Sequence, residues 1–153
     1  MASSDREATI VKSSTIQVPV SYKHLHLIRE KVLDQASQAG LSEPLSAQLE
    51  MAVDEACTNI IEHSYGGEIA EDKDHAGLRV NFVQYLDRIV IEIYDHGAGF
   101  DFKKHHIVDP DQYIANRQER GLGMYIITSF VDDVAYQRGT TAGNYLKLTK
   151  LLK

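Results

Sequence analysis

One stretch decides how this chain folds: residues 45–65, with the sequence LSAQLEMAVDEACTNIIEHSY. Its apolar residues recur at spacings of three and four, which predicts an amphipathic helix with one buried face. Ser42 is placed to cap the first turn, and Pro44 fits there because its missing N–H has no helical partner. The glycine pair 66–67 then ends the helix. The buried face is expected to hold Leu45, Leu49, Ala52, Val53, Ala56, Ile60 and Ile61.

Two polar side chains, Glu55 and Asn59, lie one turn apart on the flank of this apolar face, so they project together. Burying a carboxylate and a carboxamide costs free energy unless both groups find partners. For an isolated helix, the simpler interpretation is that both are solvated at the edge of the apolar face. Motifs elsewhere in the chain favour a functional site instead.

The composition predicts one domain over residues 1–153, with a core from about residue 15 to about residue 150, because a chain of this length can bury a core. The formal net charge of −6 argues against nucleic acid or an anionic membrane as the main partner. A single cysteine, Cys57, excludes an internal disulfide and suits the reducing cytoplasm. In mid-helix, Cys57 is expected to be a buried and unreactive thiol.

The remaining periodicity predicts an α+β fold. Alternating apolar residues indicate a strand at 15–20, where Pro19 suggests an edge strand or a strand end, and a hairpin that turns at Leu86-Asp87. A helical pattern follows Ser21, which is a plausible N-cap. This order predicts a two-layer sandwich, with helices on one face of a mixed, mainly antiparallel sheet. The other predicted elements are helices at 22–39, ended by Gly40, and 122–131, and strands at 78–85, 88–94, 134–137 and 145–152.

Residues 95–101, DHGAGFD, follow directly after a predicted buried strand. Asp95 therefore places an acceptor at the edge of the sheet. Gly97 and Gly99 have no side chains, which lets the backbone approach a flat ligand closely. A single pair of spaced glycines more often marks an ordinary turn, so this segment gains weight only together with the others.

Residues 120–124, RGLGM, open a predicted helix. Unpaired N–H groups and the positive end of the helix dipole make such a position favourable for phosphate. Between residues 95–101 and residues 120–124 the apolar periodicity disappears, which predicts a long irregular segment. Such a segment inside a compact domain is usually functional. Together with Glu55 and Asn59, the two glycine segments predict a nucleotide site.

The three segments resemble the N-box, G1-box and G2-box of the Bergerat-fold ATPases, the superfamily of gyrase, the Hsp90 chaperones, the histidine kinases and the MutL proteins. Within it, this short chain looks most like the anti-sigma factor serine kinases of the RsbW and SpoIIAB type. The resemblance runs from near Thr15 to Lys150 and implies the Bergerat ATP-binding fold, with ATP and Mg²⁺ as cofactors. The matching motifs are AVDEACTN at 52–59, DHGAGFD at 95–101 and GLGM at 121–124.

The resemblance implies a role for each motif residue. Glu55 would be the general base that accepts the proton of the attacking hydroxyl group. Asn59 would ligate Mg²⁺, which prefers oxygen ligands and keeps several waters. Asp95 would accept a hydrogen bond from the exocyclic amine of adenine, with Gly97 and Gly99 allowing the ring to lie close.

At the start of the last helix, the resemblance implies a phosphate site made by backbone groups, with residues 102–118 as the ATP lid. Arg120 is our own candidate for a contact with the γ-phosphate, because a guanidinium would offset charge in a loose phosphoryl-transfer transition state. The alternative is a surface arginine that pairs with Glu119. The implied nucleotide-binding residues of this helix are Gly121, Leu122, Gly123 and Met124.

The chain departs from the family at the second adenine contact. The family usually has Gly-Thr near the start of the last strand, with the threonine hydroxyl beside the adenine. Here Gly143-Asn144 holds that place. Asn144 could contact the base instead, or a longer loop could bring in Thr140 or Thr141.

The function implied is that of an anti-sigma factor with serine/threonine protein kinase activity. Such a protein sequesters a sigma factor and phosphorylates an anti-anti-sigma partner of the STAS type. A homodimer in the cytoplasm is expected from the family. The alternative is a non-catalytic switch, in which ATP only changes the affinity for a protein partner. The presence of Glu55 argues against it, because a pure switch needs no base.

Overall fold

The computed structural model describes residues 9–69, 77–100 and 119–152. The predicted lid at 102–118 lies outside these residues. No helix in the described ranges has the length and apolar character needed to cross a membrane. The helices are α1 (Leu25–Gln38), α2 (Glu43–Asn59) and α3 (Glu119–Phe130), and the strands are β1 (Ile10–Val18), β2 (Leu78–Tyr85), β3 (Arg88–Asp95), β4 (Asp133–Thr140) and β5 (Gly143–Leu151).

The five strands form one sheet in the order β1-β2-β3-β5-β4. The predicted sheet was mixed and mainly antiparallel; among the described strands every neighbouring pair is antiparallel. The reason is the last hairpin, which places β5 between β3 and β4, so β3 and β4, which run in the same direction, are not adjacent. β1 is an edge strand that ends directly before Pro19, as predicted.

One face of the sheet carries the core. Along β2, Leu78, Val80 and Phe82 are buried, while Arg79 on the other face is exposed. The helices cover the buried face, and together they form one apolar cluster with the sheet. The predicted two-layer α+β sandwich is therefore confirmed. Side chains that the helices contribute, each 1% exposed, include Ile28, Leu49 and Ile127.

The first helix begins differently from the prediction. Ser21 makes no side-chain capping bond. Instead its hydroxyl donates to the Glu68 carboxylate at 3.3 Å, and the N–H of Tyr22 donates to the same oxygen at 2.9 Å. A carboxylate is a stronger acceptor than a hydroxyl, so a distant residue caps this turn. A 3-10 turn, Tyr22–His24, precedes α1, and Gly40 with φ +89° follows it.

The predicted central helix starts at its predicted cap. The Ser42 hydroxyl accepts a hydrogen bond from the N–H of Leu45 at 3.4 Å, and a proline occupies the first turn. At the other end, Gly66 has φ +76°, and the N–H of Gly67 donates to the carbonyl of Ile61 at 2.8 Å. The sequence signals at both ends are thus confirmed.

The prediction of a regular helix up to Tyr65 is wrong for its last turn, which is wider than an α-helical turn. α2 ends at Asn59, and Ile60–Ser64 form a π-helical turn. The N–H of Tyr65 donates to the carbonyl of Ile60 at 3.2 Å, which is the i→i+5 bond of a π-helix. The wider turn brings Ser64 back to the side of the helix that carries Asn59, and both side chains are buried.

The C-terminal elements are longer than predicted. α3 begins at Glu119, before the predicted start at 122, and β4 runs past 137 to Thr140. A tight turn explains the extra pairing, because Thr140 pairs with Gly143 and its hydroxyl donates to the carbonyl of Gly143.

Candidate active site

A buried carboxylate, Asp95, forms the centre of the candidate site. It is the last residue of β3 and is 1% exposed. Its Oδ1 accepts three hydrogen bonds: from the Ser64 hydroxyl at 2.5 Å, and from the N–H of Gly97 and the side-chain amide of Asn144 at 2.9 Å each. Its Oδ2 is also buried and has no partner among the described residues. One oxygen therefore holds the side chain, and the other is available to a ligand.

The available Oδ2 of Asp95 fits the predicted adenine contact. A buried acceptor that lacks a donor costs roughly 1–3 kcal/mol relative to a paired one. A ligand that donates an N–H group at this position would remove that cost, and the exocyclic amine of adenine is such a donor. The geometry supports the prediction for Asp95.

The backbone of residues 96–100 is anchored at every N–H group. Each of these five groups donates to a protein oxygen, so the segment loses little conformational freedom when a ligand binds. Because these N–H groups are already used, we expect the segment to position Asp95 rather than to bind phosphate. The acceptors, in order, are the Tyr65 hydroxyl (2.7 Å), Asp95 Oδ1 (2.9 Å), the Ser64 carbonyl (2.7 Å), the Ser64 hydroxyl (2.9 Å) and the Tyr136 hydroxyl (3.2 Å).

Gly97 and Gly99 are required by close contacts within the protein. A Cβ atom on Gly97 would lie 2.5 Å from both the carbonyl oxygen and the hydroxyl oxygen of Ser64. On Gly99, which has φ +77°, it would lie 2.7 Å from Arg138 Cγ and 2.9 Å from Asn144 Oδ1. Side chains at these positions would displace the groups that hold Asp95. The predicted approach of the adenine ring to these glycines stays a prediction.

Asn144 uses its whole carboxamide inside the protein. It is 3% exposed, and its Nδ2 donates to Asp95 Oδ1 at 2.9 Å and to the carbonyl of Gly97 at 3.0 Å. Its Oδ1 accepts from the N–H of Gly139 at 2.9 Å. This arrangement favours an indirect role for Asn144 in base recognition. A direct contact of the base with this amide, or with either threonine of the β4–β5 turn, stays a prediction.

Glu55 lies half-buried on the flank of α2, where the sequence predicted it. Burial, followed by the negative charges of Asp54 and Glu62, raises the pKa of its carboxyl group. Asp54 itself forms a salt bridge with Arg29 of α1, with 2.9 Å between Asp54 Oδ1 and Arg29 Nη1. A carboxylate with a raised pKa accepts a proton more readily, which is the property that a general base needs.

Asn59, the last residue of α2, contacts α3 through its side chain. It is 5% exposed, and its Nδ2 donates to the sulfur of Met124 at 3.6 Å. The amide nitrogen therefore faces α3, and the carboxamide oxygen is the atom suited to a cation. A single amide oxygen, completed by phosphate oxygens and water, fits the oxygen preference of Mg²⁺.

The first turn of α3 lies near this amide, because Met124 in the second turn is fully buried against Asn59. The predicted phosphate contacts begin at Arg120, and the side chains of residues 119–123 lie outside what the structure describes. The predicted contact of Arg120 with the γ-phosphate, and its alternative with Glu119, therefore stay predictions, as do the nucleotide-binding roles of Gly121, Leu122, Gly123 and Met124.

Three residues of the site could not be identified from the sequence: Ser64, Tyr136 and Arg138. Ser64 stands five residues after Asn59, and a regular α-helix would have pointed it elsewhere. Tyr136 and Arg138 lie on β4, and Arg138 donates to the carbonyl of Ala98 at 3.0 Å. Only the tertiary fold brings these side chains to the Asp95 segment.

Cys57 lies inside α2 between the two functional residues. It is 1% exposed, and burial, with a smaller contribution from the charge of Asp54, raises the pKa of its thiol. Because the thiolate is the reactive form, the predicted unreactive thiol is confirmed by its surroundings.

Comparison with known proteins assigns this chain to a family. The chain matches the family model of the histidine kinase-like ATPase domain over residues 18–150. A serine-protein kinase RsbW from Bacillus pumilus is 33% identical over 141 residues, which are 90% of this chain and 84% of that protein. A serine-protein kinase RsbW from Bacillus cereus is 28% identical over 123 residues, which are 78% and 73% of the two chains.

A solved structure shares the fold. The crystal structure of the RsbU and RsbW domains of a Mycobacterium tuberculosis protein matches with a TM-score of 0.62 and 15% identity, over 92% of this chain and 33% of that one. The predicted superfamily is confirmed by the family match, and an ATPase domain implies that ATP is the nucleotide used. The chain therefore belongs to the histidine kinase-like ATPase domain family and, within it, to the RsbW serine-protein kinases.

Proposed function

We propose that this chain is an ATP-dependent serine/threonine protein kinase that also acts as an anti-sigma factor. It binds an RNA polymerase sigma factor, and it transfers the γ-phosphate of ATP to a serine or threonine of a small anti-anti-sigma partner of the STAS type. The relatives named serine-protein kinase RsbW support the kinase activity. The cytoplasm is the compartment that this role requires, and a homodimer is expected from the family.

One observation carries the proposal: a single helix connects the base-binding end of the site to its reactive end. Ser64, in the π turn that continues α2, donates to Asp95 Oδ1. Glu55 and Asn59 lie on the preceding turns of the same helix. Helical geometry therefore sets the distance of Glu55 and Asn59 from Asp95 Oδ2. This arrangement suits a ligand with a base at one end and phosphates at the other.

Each residue then has a defined task. Asp95 binds the adenine amine through Oδ2, and Asn59 holds Mg²⁺ through its carboxamide oxygen. Bound Mg²⁺ supplies positive charge that offsets the charge of the phosphates. As the hydroxyl oxygen of the partner forms its bond to the γ-phosphorus, Glu55 takes the hydroxyl proton and ADP leaves.

Phosphorylation gives the reaction a regulatory consequence. A phosphoryl group adds close to two negative charges and three acceptor oxygens to the partner surface. This chain carries a net charge of −6, so the modified partner is repelled more strongly than the unmodified one. The phosphorylated partner therefore dissociates, and the sigma factor can bind in its place.

Phosphate transfer is the direct test. The purified chain is incubated with ATP, Mg²⁺ and a candidate STAS-domain partner, and the partner is analysed by mass spectrometry. We expect one phosphate on a serine or threonine, and none when that residue is replaced by alanine. ATP-dependent association without any transfer would instead establish the non-catalytic switch.

Asn59→Ala is expected to weaken Mg²⁺-dependent ATP binding by at least about tenfold, since even outer-shell groups contribute about that much to metal affinity. Binding in EDTA should change little, because the variant loses a cation ligand and not a base contact. Calorimetry with ATP, with and without Mg²⁺, measures both values. Asn59→Asp keeps an oxygen ligand and should retain the dependence on Mg²⁺. If Asn59→Ala also retains it, Asn59 is not the ligand.

A further inference from the structure

We propose that Ser64 and Asn144 are positioning residues that make the nucleotide site selective for 6-amino purines. The inference rests on the base contact of Asp95 proposed above. An unrestrained carboxylate can rotate and offer either oxygen, alone or with water, so by itself it discriminates weakly between bases. Ser64 and Asn144 remove this freedom, because they make the two oxygens of Asp95 different from each other.

Ser64 fixes the carboxylate from the helix side. Its hydroxyl has one proton, which it donates to Asp95 Oδ1 at 2.5 Å. The Ser64 Oγ atom also accepts from the N–H of Gly99 at 2.9 Å, so the hydroxyl cannot rotate without losing a bond. Ser64 is 4% exposed, so water has little access to this hydroxyl. The π turn is what delivers this hydroxyl to the end of β3.

Asn144 fixes the carboxylate from the sheet side, and only one orientation of its amide is satisfied. Nδ2 faces two acceptors, Asp95 Oδ1 and the carbonyl of Gly97, whereas Oδ1 faces the N–H of Gly139. Rotating the amide by half a turn would set acceptor against acceptor and donor against donor. Asn144 therefore always presents a donor to Asp95.

The consequence is a one-sided hydrogen-bonding group. Asp95 Oδ1 already receives three donors, and only Oδ2 remains for the ligand. A bound base must then present a donor at that position, as the exocyclic amine of adenine does. The 6-oxo purines, guanine and hypoxanthine, present a carbonyl oxygen there and would set acceptor against acceptor.

The experiment compares ATP with ITP, which has an oxygen in place of the amine, by calorimetry on the full chain. We expect the unmodified chain to prefer ATP by at least about tenfold. Ser64→Ala should weaken ATP binding by about tenfold and change ITP binding by less than about threefold, so that the preference collapses. Asn144→Leu keeps much of the side-chain volume but removes the donor to Asp95 Oδ1, and its loss of ATP preference should be at least as large.

A matched control separates positioning from packing. Ser46 is another buried serine, 6% exposed, but it lies near the start of α2, whereas Ser64 lies in the π turn that follows the end of α2. Ser46→Ala should keep both affinities. Thermal unfolding of each variant identifies any that is not folded at the temperature of the assay, and Asn144→Leu, which keeps much of the side-chain volume, carries the test if Ser64→Ala is one of them.

Two results would overturn the inference and leave the proposed function standing. One is an unchanged ratio of ATP to ITP affinity in both variants, while Asp95→Asn changes that ratio. The other is an equal loss of affinity for both nucleotides, which is the effect of damaged packing. An unchanged ratio in Asp95→Asn would show that Asp95 does not contact the base, and the inference would fail together with that contact.

Discussion

Glu55→Gln is expected to lower the rate of phosphate transfer by about 10²- to 10⁴-fold, the usual contribution of a positioned general base. The glutamine has nearly the same shape, but its amide cannot accept the proton of the attacking hydroxyl. ATP binding should stay close to that of the unmodified chain, because the proposed nucleotide contacts lie at Asn59, Asp95 and α3. Single-turnover transfer to the partner and calorimetry with ATP measure the two properties separately.

The pH dependence of transfer supplies an independent check. Burial raises the pKa of Glu55 in the folded chain, and transfer requires the carboxylate, so the rate should fall as the pH is lowered through that raised pKa. Glu62→Gln removes one of the two charges that raise the pKa and should shift this acid limb to lower pH without abolishing transfer. If Glu55→Gln retains transfer, or if Glu62→Gln leaves the acid limb in place, the assignment of the base is wrong.

The same pKa shift links function to stability. Below the pKa of the unfolded chain, Glu55 is protonated in both states and does not affect the unfolding free energy. As the pH rises, the unfolded chain releases its proton first, so the ionised side chain lowers stability at neutral pH. Glu55→Gln should therefore unfold at the same temperature as the unmodified chain, or at a higher one, at neutral pH. Thermal unfolding at neutral and acid pH checks the sign.

Asp95→Asn is expected to invert the base preference rather than merely to weaken binding. Three donors surround Oδ1, from Ser64, Gly97 and Asn144. In the variant the amide oxygen must stay among these donors, so the amide nitrogen takes the place of Oδ2. A donor then faces the ligand where an acceptor stood. Adenine loses its contact, and a 6-oxo purine gains one.

The expected size of the inversion follows from the energy of single hydrogen bonds. ATP affinity should fall by at least about tenfold and ITP affinity should rise, because each mismatch or match contributes roughly 1–3 kcal/mol. Calorimetry with both nucleotides measures the change. Asp95→Ala is the control, since it removes the acceptor without supplying a donor and should weaken ATP binding without improving ITP binding. Equal losses for both nucleotides in Asp95→Asn would count against the contact.

The order of the elements, and the motifs that form the candidate site, were predictable where local rules act. The Ser42 cap, the glycine ends and the alternation in the β2–β3 hairpin depend on near neighbours in the sequence, and the structure confirms them. Ser21 shows the limit of such rules. Its expected capping role is taken by Glu68, a residue distant in sequence, because tertiary contact offers a stronger acceptor.

The interior of the site was less predictable, for a geometric reason. Apolar spacing of three and four fits both an α-helix and one that ends in a wider turn, so the π turn at Ile60–Ser64 left no signal. The face on which Ser64 lies depends on that turn. Asn144 was one of three candidates for the second adenine contact. That its amide is directed to Asp95 becomes visible only when β3 and β5 are paired.

The burial of Cys57 has a practical consequence for measuring motion in this domain. The thiol is the one cysteine of the sequence, and it lies in the helix that carries Glu55 and Asn59. A thiol reagent reaches such a group only when the helix opens, so its labelling rate reports the opening free energy of that part of the core. Any ligand that binds only the closed form slows labelling in proportion to its occupancy. The chain thus contains a single-site kinetic reporter, placed inside the element that its chemistry depends on.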